Sequence, residues 1–286
     1  MKTPKKVATW MAGAIAAFTL MGIAGRELSA ELDTYGILFF RSVIGLFVVV
    51  MLLQVNGWHL INTQRLPTHL FRNVIHYGGQ FGWFFGISLL PLAQVFAIEF
   101  TVPLWGLILA VVFLREKLSA GRVVALVLGM IGVLIILRPG LITINSAVIA
   151  VLLSAICYAI AHITTKSLVV RDSPLTILFY MTLIQLPIGA VASWSTLTMP
   201  SIASWPWVLV VGLTALSAHY CLARSLAIGD ASIVLPIDFL RLPVIAIAAA
   251  LLYAEAIDPW LFAGAALMVI GNLISLNSEK TLKSTN

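Results

Sequence analysis

Charge is scarce in this chain: only 10% of its 286 residues are Asp, Glu, Lys or Arg, against about 25% in a soluble globular domain. A chain of this length folded in water must still cover its surface with polar groups, so the shortage excludes a water-soluble globule. Cysteine is nearly missing. Cys157 and Cys221 both lie in apolar runs, without a CxxC or a histidine-rich neighbourhood, and they read as reduced packing residues, not as a disulfide or a metal pair. The chain also lacks HExxH, GxSxG and the GxxxxGK[ST] phosphate loop, which argues against an enzyme and against a nucleotide-driven pump. No cofactor and no metal are expected.

What is present is apolar. Hydrophobic residues make up 61% of the chain and mean hydropathy is +1.06. Ten uninterrupted runs follow one another, at approximately 7–25, 35–54, 71–90, 94–114, 121–138, 146–166, 174–193, 206–227, 231–252 and 259–276. Each is close to the roughly 20 residues that carry a helix across a bilayer. A transmembrane barrel would show alternating segments of about ten instead. The ten spans leave no room for a separate soluble domain.

The net charge of +6 would raise the question of nucleic acid in a soluble protein; here it follows from where the basic residues stand. With the N-terminus in the cytoplasm, thirteen Lys and Arg, Arg72 and Arg224 among them, fall at inner ends and connectors, and only Arg26 and Arg138 fall outside. That asymmetry predicts a cytoplasmic (inner) membrane protein with both termini cytoplasmic. Trp58, Trp194, Trp205, Trp207 and Trp260 lie near run ends, as interfacial anchors do.

Shifting the sequence by 139 residues places Glu99 on Asp238, Phe100 on Phe239, Gln80 on His219, Gly132 on Gly271 and Glu116 on Glu255. Two repeats of five spans follow, 7–138 and 146–277. Because five is odd, the second must enter the membrane from the opposite side, which is a recurring plan of secondary transporters. The fold class expected is all-α integral membrane, with ten transmembrane helices as two inverted five-helix repeats.

The run AQVFAIEFTVPLWGLILAVVFLREKL, then ALVLGMIGVLIILRPG, with the second-half echoes ASIVLPIDFLRLPVIAIAAALLYAEAI and FAGAALMVIGNLISL, resembles the EamA-type members of the drug/metabolite transporter superfamily. The resemblance covers nearly the whole chain and implies ten spans in two five-span repeats. It does not single out a substrate, since similar proteins move amino acids, amines, vitamins, nucleotide-like metabolites and metallophores. The second repeat departs from the usual basic turn by carrying AEAID.

Ionisable side chains at membrane depth are functional candidates. Glu99 in span four, Asp238 and Arg241 in span nine and Arg41 in span two lie inside their runs. At 1.5 Å per residue, Glu99 is roughly 8 Å from the outer end of its run and Asp238 roughly 10 Å from the inner end of its own, which predicts one carboxylate on each side of the midplane. A purely structural alternative pairs Arg41 with Glu99. Pro103, Pro236 and Pro243 predict kinks in spans four and nine, which lipid tolerates only where the break is buried or lines water. His219, its repeat mate Gln80, and Tyr158 are mid-depth polar residues; Trp83 and Trp105 are deep enough to stack on a ligand. His76 and His162 are read as interfacial or packing residues, and the glycines of spans three and five as sites of close helix approach.

Two carboxylates and two arginines suggest an amphoteric substrate, such as an amino acid, an S-adenosyl compound or an amino-acid-derived metallophore, carried by alternating access. Glu99 is the candidate proton carrier, with Asp238 held ionised by Arg241. A neutral aromatic vitamin such as riboflavin is the alternative substrate. A passive channel is the rival within transport, and an intramembrane enzyme or receptor is the rival from another class. The partners expected are a small-molecule substrate, the lipid bilayer and protons, with no nucleic acid, in a monomer or homodimer.

Overall fold

The structure is a computed structural model that describes residues 2–114, 120–138, 144–228, 237–238 and 240–284. Its helices are α1 (Lys2–Leu28), α2 (Thr34–Asn56), α3 (Leu66–Leu89), α4 (Leu92–Glu99), α5 (Val102–Leu114), α6 (Ala120–Leu137), α7 (Ser146–Leu168), α8 (Pro174–Ser193), α9 (Trp205–Ile228), α10 (Arg241–Tyr253) and α11 (Pro259–Ser284). Together they supply ten spans: α4 and α5 are two pieces of span four, and α10 is the described part of span nine. The basic turn with Arg115 and Lys117, and the residues Pro236 and Phe239, lie outside the described residues.

Local chemistry sets several of the helix starts. The side chains of Asp33, Asn145 and Ser173 accept from the backbone N–H of Gly36, Val148 and Thr176, at 2.7, 3.0 and 3.1 Å, satisfying donors that a helix start leaves orphaned. Span four breaks for the opposite reason. Pro103 has no N–H to offer the carbonyl four residues back, which is that of Glu99, and its ring would clash there. The helix therefore stops at Glu99 and restarts at Val102. In span nine α10 begins at Arg241, two residues before Pro243.

The packing has internal two-fold symmetry. The 139-residue shift exchanges α1 with α7 and α3 with α9; accordingly α1 packs along α9 just as α7 packs along α3. Helices that exchange with each other, α2 with α8 and α6 with α11, pack directly on one another around the axis, and α4 packs on α10. Each half crosses the membrane five times, so the axis lies in the membrane plane and the repeats are inverted. Glycine permits the closest approaches. A Cβ on Gly82 of α3 would sit 2.3 Å from the Ala150 carbonyl oxygen on α7, and one on Gly132 of α6 would sit 2.6 Å from that of Gly264 on α11. Around the outside, large apolar side chains such as Phe47, Leu134, Leu153, Val191 and Leu251 stay exposed. That surface suits hydrocarbon, in which backbone groups are paired within helices.

Candidate functional site

The breaks in spans four and nine bring the acidic and basic side chains together. Glu99, the last residue of α4, and Asp238, just ahead of α10, both meet one nitrogen of Arg241: Nη2 donates to Glu99 Oε1 at 3.2 Å and to Asp238 Oδ2 at 3.3 Å. Trp83 Nε1 donates to the other Glu99 oxygen at 2.8 Å. The guanidinium lies against the rings of Phe18, Phe96 and Phe100, 4.6, 5.3 and 5.2 Å from their centroids, a cation–π cage that partly replaces lost hydration. The two carboxylates therefore share one cation. Arg41 does not pair with Glu99. That pairing fails because α10 packs on α4 and brings Arg241 to the Glu99 carboxylate.

Arg241, Glu99 and Asp238 line a cavity with Arg41, Gln80, Trp83, Tyr158 and His219, so all eight candidate residues face one space; Phe18, Met21, Phe84, His162 and Leu222 complete the wall. Arg241 Nε, Arg241 Nη1 and Asp238 Oδ1 are buried without a hydrogen-bond partner among the described residues. The cavity measures about 50 Å³, room for a few waters but far below the roughly 300–1,000 Å³ of small-molecule pockets. Any larger ligand needs the lining helices to part.

A second polar cluster borders the first. Arg41 Nη1 donates to Gln185 Oε1 at 3.4 Å. The Gln185 amide N–H donates to the Asn73 carbonyl at 3.3 Å and to His76 Nδ1 at 3.0 Å, and Gln80 donates to the same His76 nitrogen at 3.0 Å. Two amide donors on Nδ1 make it an acceptor and fix the imidazole tautomer. The His76 ring lies 5.2 Å from that of His219 and 5.5 Å from that of Tyr158, and His162 stacks on Tyr158 at 6.3 Å.

Several sequence assignments change here. His76 is a packing residue, buried within this cluster, and His162 lines the cavity although much of its surface is exposed. Arg72, counted with the inner basic residues, is buried, its guanidinium donating to Asn73 Oδ1 at 2.6 Å and Thr165 Oγ1 at 3.1 Å. Trp105 donates to Thr101 Oγ1 at 3.1 Å and takes no part in the cavity wall. Gln185, Asn73 and Phe18 were missed. For α3 a signal existed: His69, Arg72, His76, Gln80 and Trp83 recur every three or four residues, a polar stripe that marks the helix face turned to the interior.

The end of the bundle opposite the termini is laced with polar pairs. Arg26 meets Glu255 at 3.4 Å and donates to the carbonyls of Ile87 and Leu90. Tyr253 donates to Glu27 at 2.7 Å, Arg138 pairs with Asp258, and Asp33 accepts from Thr196 at 2.6 Å. Burial pushes the Glu255 carboxyl up, against the pull of Arg26 and the Leu92 N–H. The Ser204 hydroxyl and the Ser201 N–H hold exposed Glu31 below the usual carboxylate range. At the end that carries the termini, His69 meets Asp172 at 2.9 Å and Arg65 holds the α7 C-terminus through Ser167. Among the described residues no group of three or more His, Cys, Asp or Glu is placed to share a metal ion, and both cysteines are free thiols.

Comparison with known proteins places this architecture. Residues 5–138 and 145–277 each match the EamA-like transporter family. The chain is 26% identical to an S-adenosylmethionine uptake transporter of Rickettsia prowazekii, over 100% of this chain and 97% of the relative. It is 29% identical to a riboflavin transporter of Vibrio cholerae, over 93% and 91%, and 26% identical to a pseudopaline exporter of Pseudomonas aeruginosa, over 92% and 93%. A crystal structure covering 97% of this chain and 99% of its own superposes with a TM-score of 0.70 at 15% identity, a likeness of fold alone.

Proposed function

Because this chain belongs to the EamA-like transporter family, and is a multi-pass secondary transporter of a small metabolite rather than an enzyme, we propose that its substrate site is the Glu99–Asp238–Arg241 cavity. The carrier takes an amphoteric metabolite of the S-adenosylmethionine type across the cytoplasmic membrane by alternating access. Both termini are cytoplasmic, in keeping with the thirteen-to-two distribution of basic residues.

One observation carries the substrate class. Two carboxylates face a single guanidinium, so the cluster has one negative charge in excess, in a nearly dry site at a repeat interface. A sulfonium or ammonium group neutralises it, and so does a proton, which makes the two competitors for one charge and couples substrate movement to the proton gradient. The rings of Phe18, Trp83, Phe84 and Tyr158 supply faces for a purine and for the cation. The same rings favour a second reading, carriage of riboflavin, in which the charges only position polar edges of a neutral flavin.

Counterflow in proteoliposomes separates the two. Vesicles loaded with unlabelled S-adenosylmethionine should take up the labelled compound transiently and saturably. S-adenosylhomocysteine, which lacks the sulfonium charge, should compete about tenfold less well, the weight of one charge-assisted contact. Counterflow of riboflavin without exchange of S-adenosylmethionine would replace the first reading by the second.

A further inference from the structure

Arg41 is the other guanidinium in the cavity wall, and its surroundings differ in kind from those of Arg241. It is 3% exposed. Its Nε has no hydrogen-bond partner, and Nη1 makes one long bond to a neutral amide oxygen. No ion pair reaches it among the described residues. Gln185 links it through the Asn73 backbone to the neighbouring Arg72, which is likewise 3% exposed and held by neutral oxygens alone. One side of the cavity thus carries a buried positive charge, Arg41, with no ion pair among the described residues and with Arg72 behind it, while the other side carries two negative charges against one positive.

We infer that the cavity is bipolar: Arg41 is the subsite for the substrate's carboxylate, and the Glu99–Asp238–Arg241 cluster receives the substrate's cation. This rests on the cavity being the substrate site. A carboxylate approaching Arg241 would be attracted by one charge and repelled by two, both already on the same guanidinium nitrogen. One approaching Arg41 meets a guanidinium on which no carboxylate rests among the described residues, with Nε unpartnered. A buried cation without a counter-ion is costly, so an arriving anion removes a penalty that the empty site carries. Gln185 is a positioning residue: its amide holds the guanidinium from one side and is itself fixed by His76 and Asn73.

The test compares wild type, Arg41→Gln and Arg41→Lys with three probes. S-adenosylmethionine and decarboxylated S-adenosylmethionine differ only in the carboxylate, and both compete for counterflow. Sodium formate, a carboxylate small enough for the cavity, is scored by thermal shift of the detergent-solubilised protein, with formamide as its neutral control. Arg41→Gln should weaken competition by S-adenosylmethionine about tenfold or more and that by the decarboxylated compound less than about twofold, with Arg41→Lys between. Formate should raise the wild-type midpoint saturably and leave Arg41→Gln unmoved. Equal weakening of both adenosyl compounds would overturn the assignment and leave Arg41 as a tie between α2 and α8. If wild type exchanges no S-adenosylmethionine at all, the substrate reading fails. The formate arm then still decides the subsite: a midpoint rise confined to Arg41-containing protein upholds it, and an equal response, or none in either, overturns it.

Discussion

Replacing Arg241 with alanine is expected to abolish transport and to lower the stability of the folded protein by about 3–5 kcal/mol, the range for removing one partner of a buried ion pair. The size follows from what would be left behind. Glu99 and Asp238 both rest on Arg241 Nη2, so without the guanidinium two carboxylates would face each other in a nearly dry cavity, ringed by Phe18, Phe96 and Phe100. Arg241→Lys keeps a positive charge but, with a compact ammonium, cannot hold both carboxylates and stack on three rings in the same way; it should lose less. The triple variant Arg241→Ala, Glu99→Gln, Asp238→Asn should regain most of the stability without regaining transport. Thermal unfolding in detergent alongside counterflow checks both halves. If Arg241→Ala were as stable as wild type, the cluster would be hydrated and the guanidinium would not be what holds α4 to α10.

Glu99→Gln is expected to reduce pH-driven accumulation to the level of protein-free vesicles while substrate counterflow continues at a reduced rate. Glutamine keeps the size of the side chain and an acceptor for Trp83 or Arg241, but it removes the excess negative charge for which proton and substrate cation compete. Asp238 then balances Arg241 alone, and counterflow, which needs no net proton movement, survives. The measurement is uptake into vesicles with and without an imposed pH difference. Unchanged pH dependence in Glu99→Gln would take Glu99 out of the coupling role.

The spans were legible because runs of about 20 apolar residues have few other uses, and the repeat because Glu99 and Asp238 fall in matching IEF and IDF contexts. The eight deep polar residues could be singled out one by one, since lipid tolerates few such side chains. Most of their partners could not. Asp238 beside Arg241 was legible from their i, i+3 spacing, but that Glu99 joins them depends on how helices from different halves pack, and no spacing along the chain encodes that. His76 shows a different failure. Its depth was judged from an apolar run beginning at residue 71, whereas α3 begins at Leu66, so a residue near the start of the run stands in the middle of its helix. Arg72 lies in the first half of the same helix, and the run did not show that it is buried. The rule that collects basic residues at inner ends holds for loop residues and says nothing of one buried on Asn73 and Thr165.

Access to the cavity from both sides of the membrane is what alternating access requires most directly. Met21 lines the cavity and is 5% exposed; the native thiols Cys157 and Cys221 can be replaced by serine to leave a single reporter, Met21→Cys. In sealed vesicles of each orientation, a membrane-impermeant thiol reagent should modify this cysteine from either face, S-adenosylmethionine should slow the modification, and the modified protein should no longer exchange substrate. Modification from one face only, in both vesicle orientations and with or without substrate, would contradict a carrier that exposes this cavity to each side in turn.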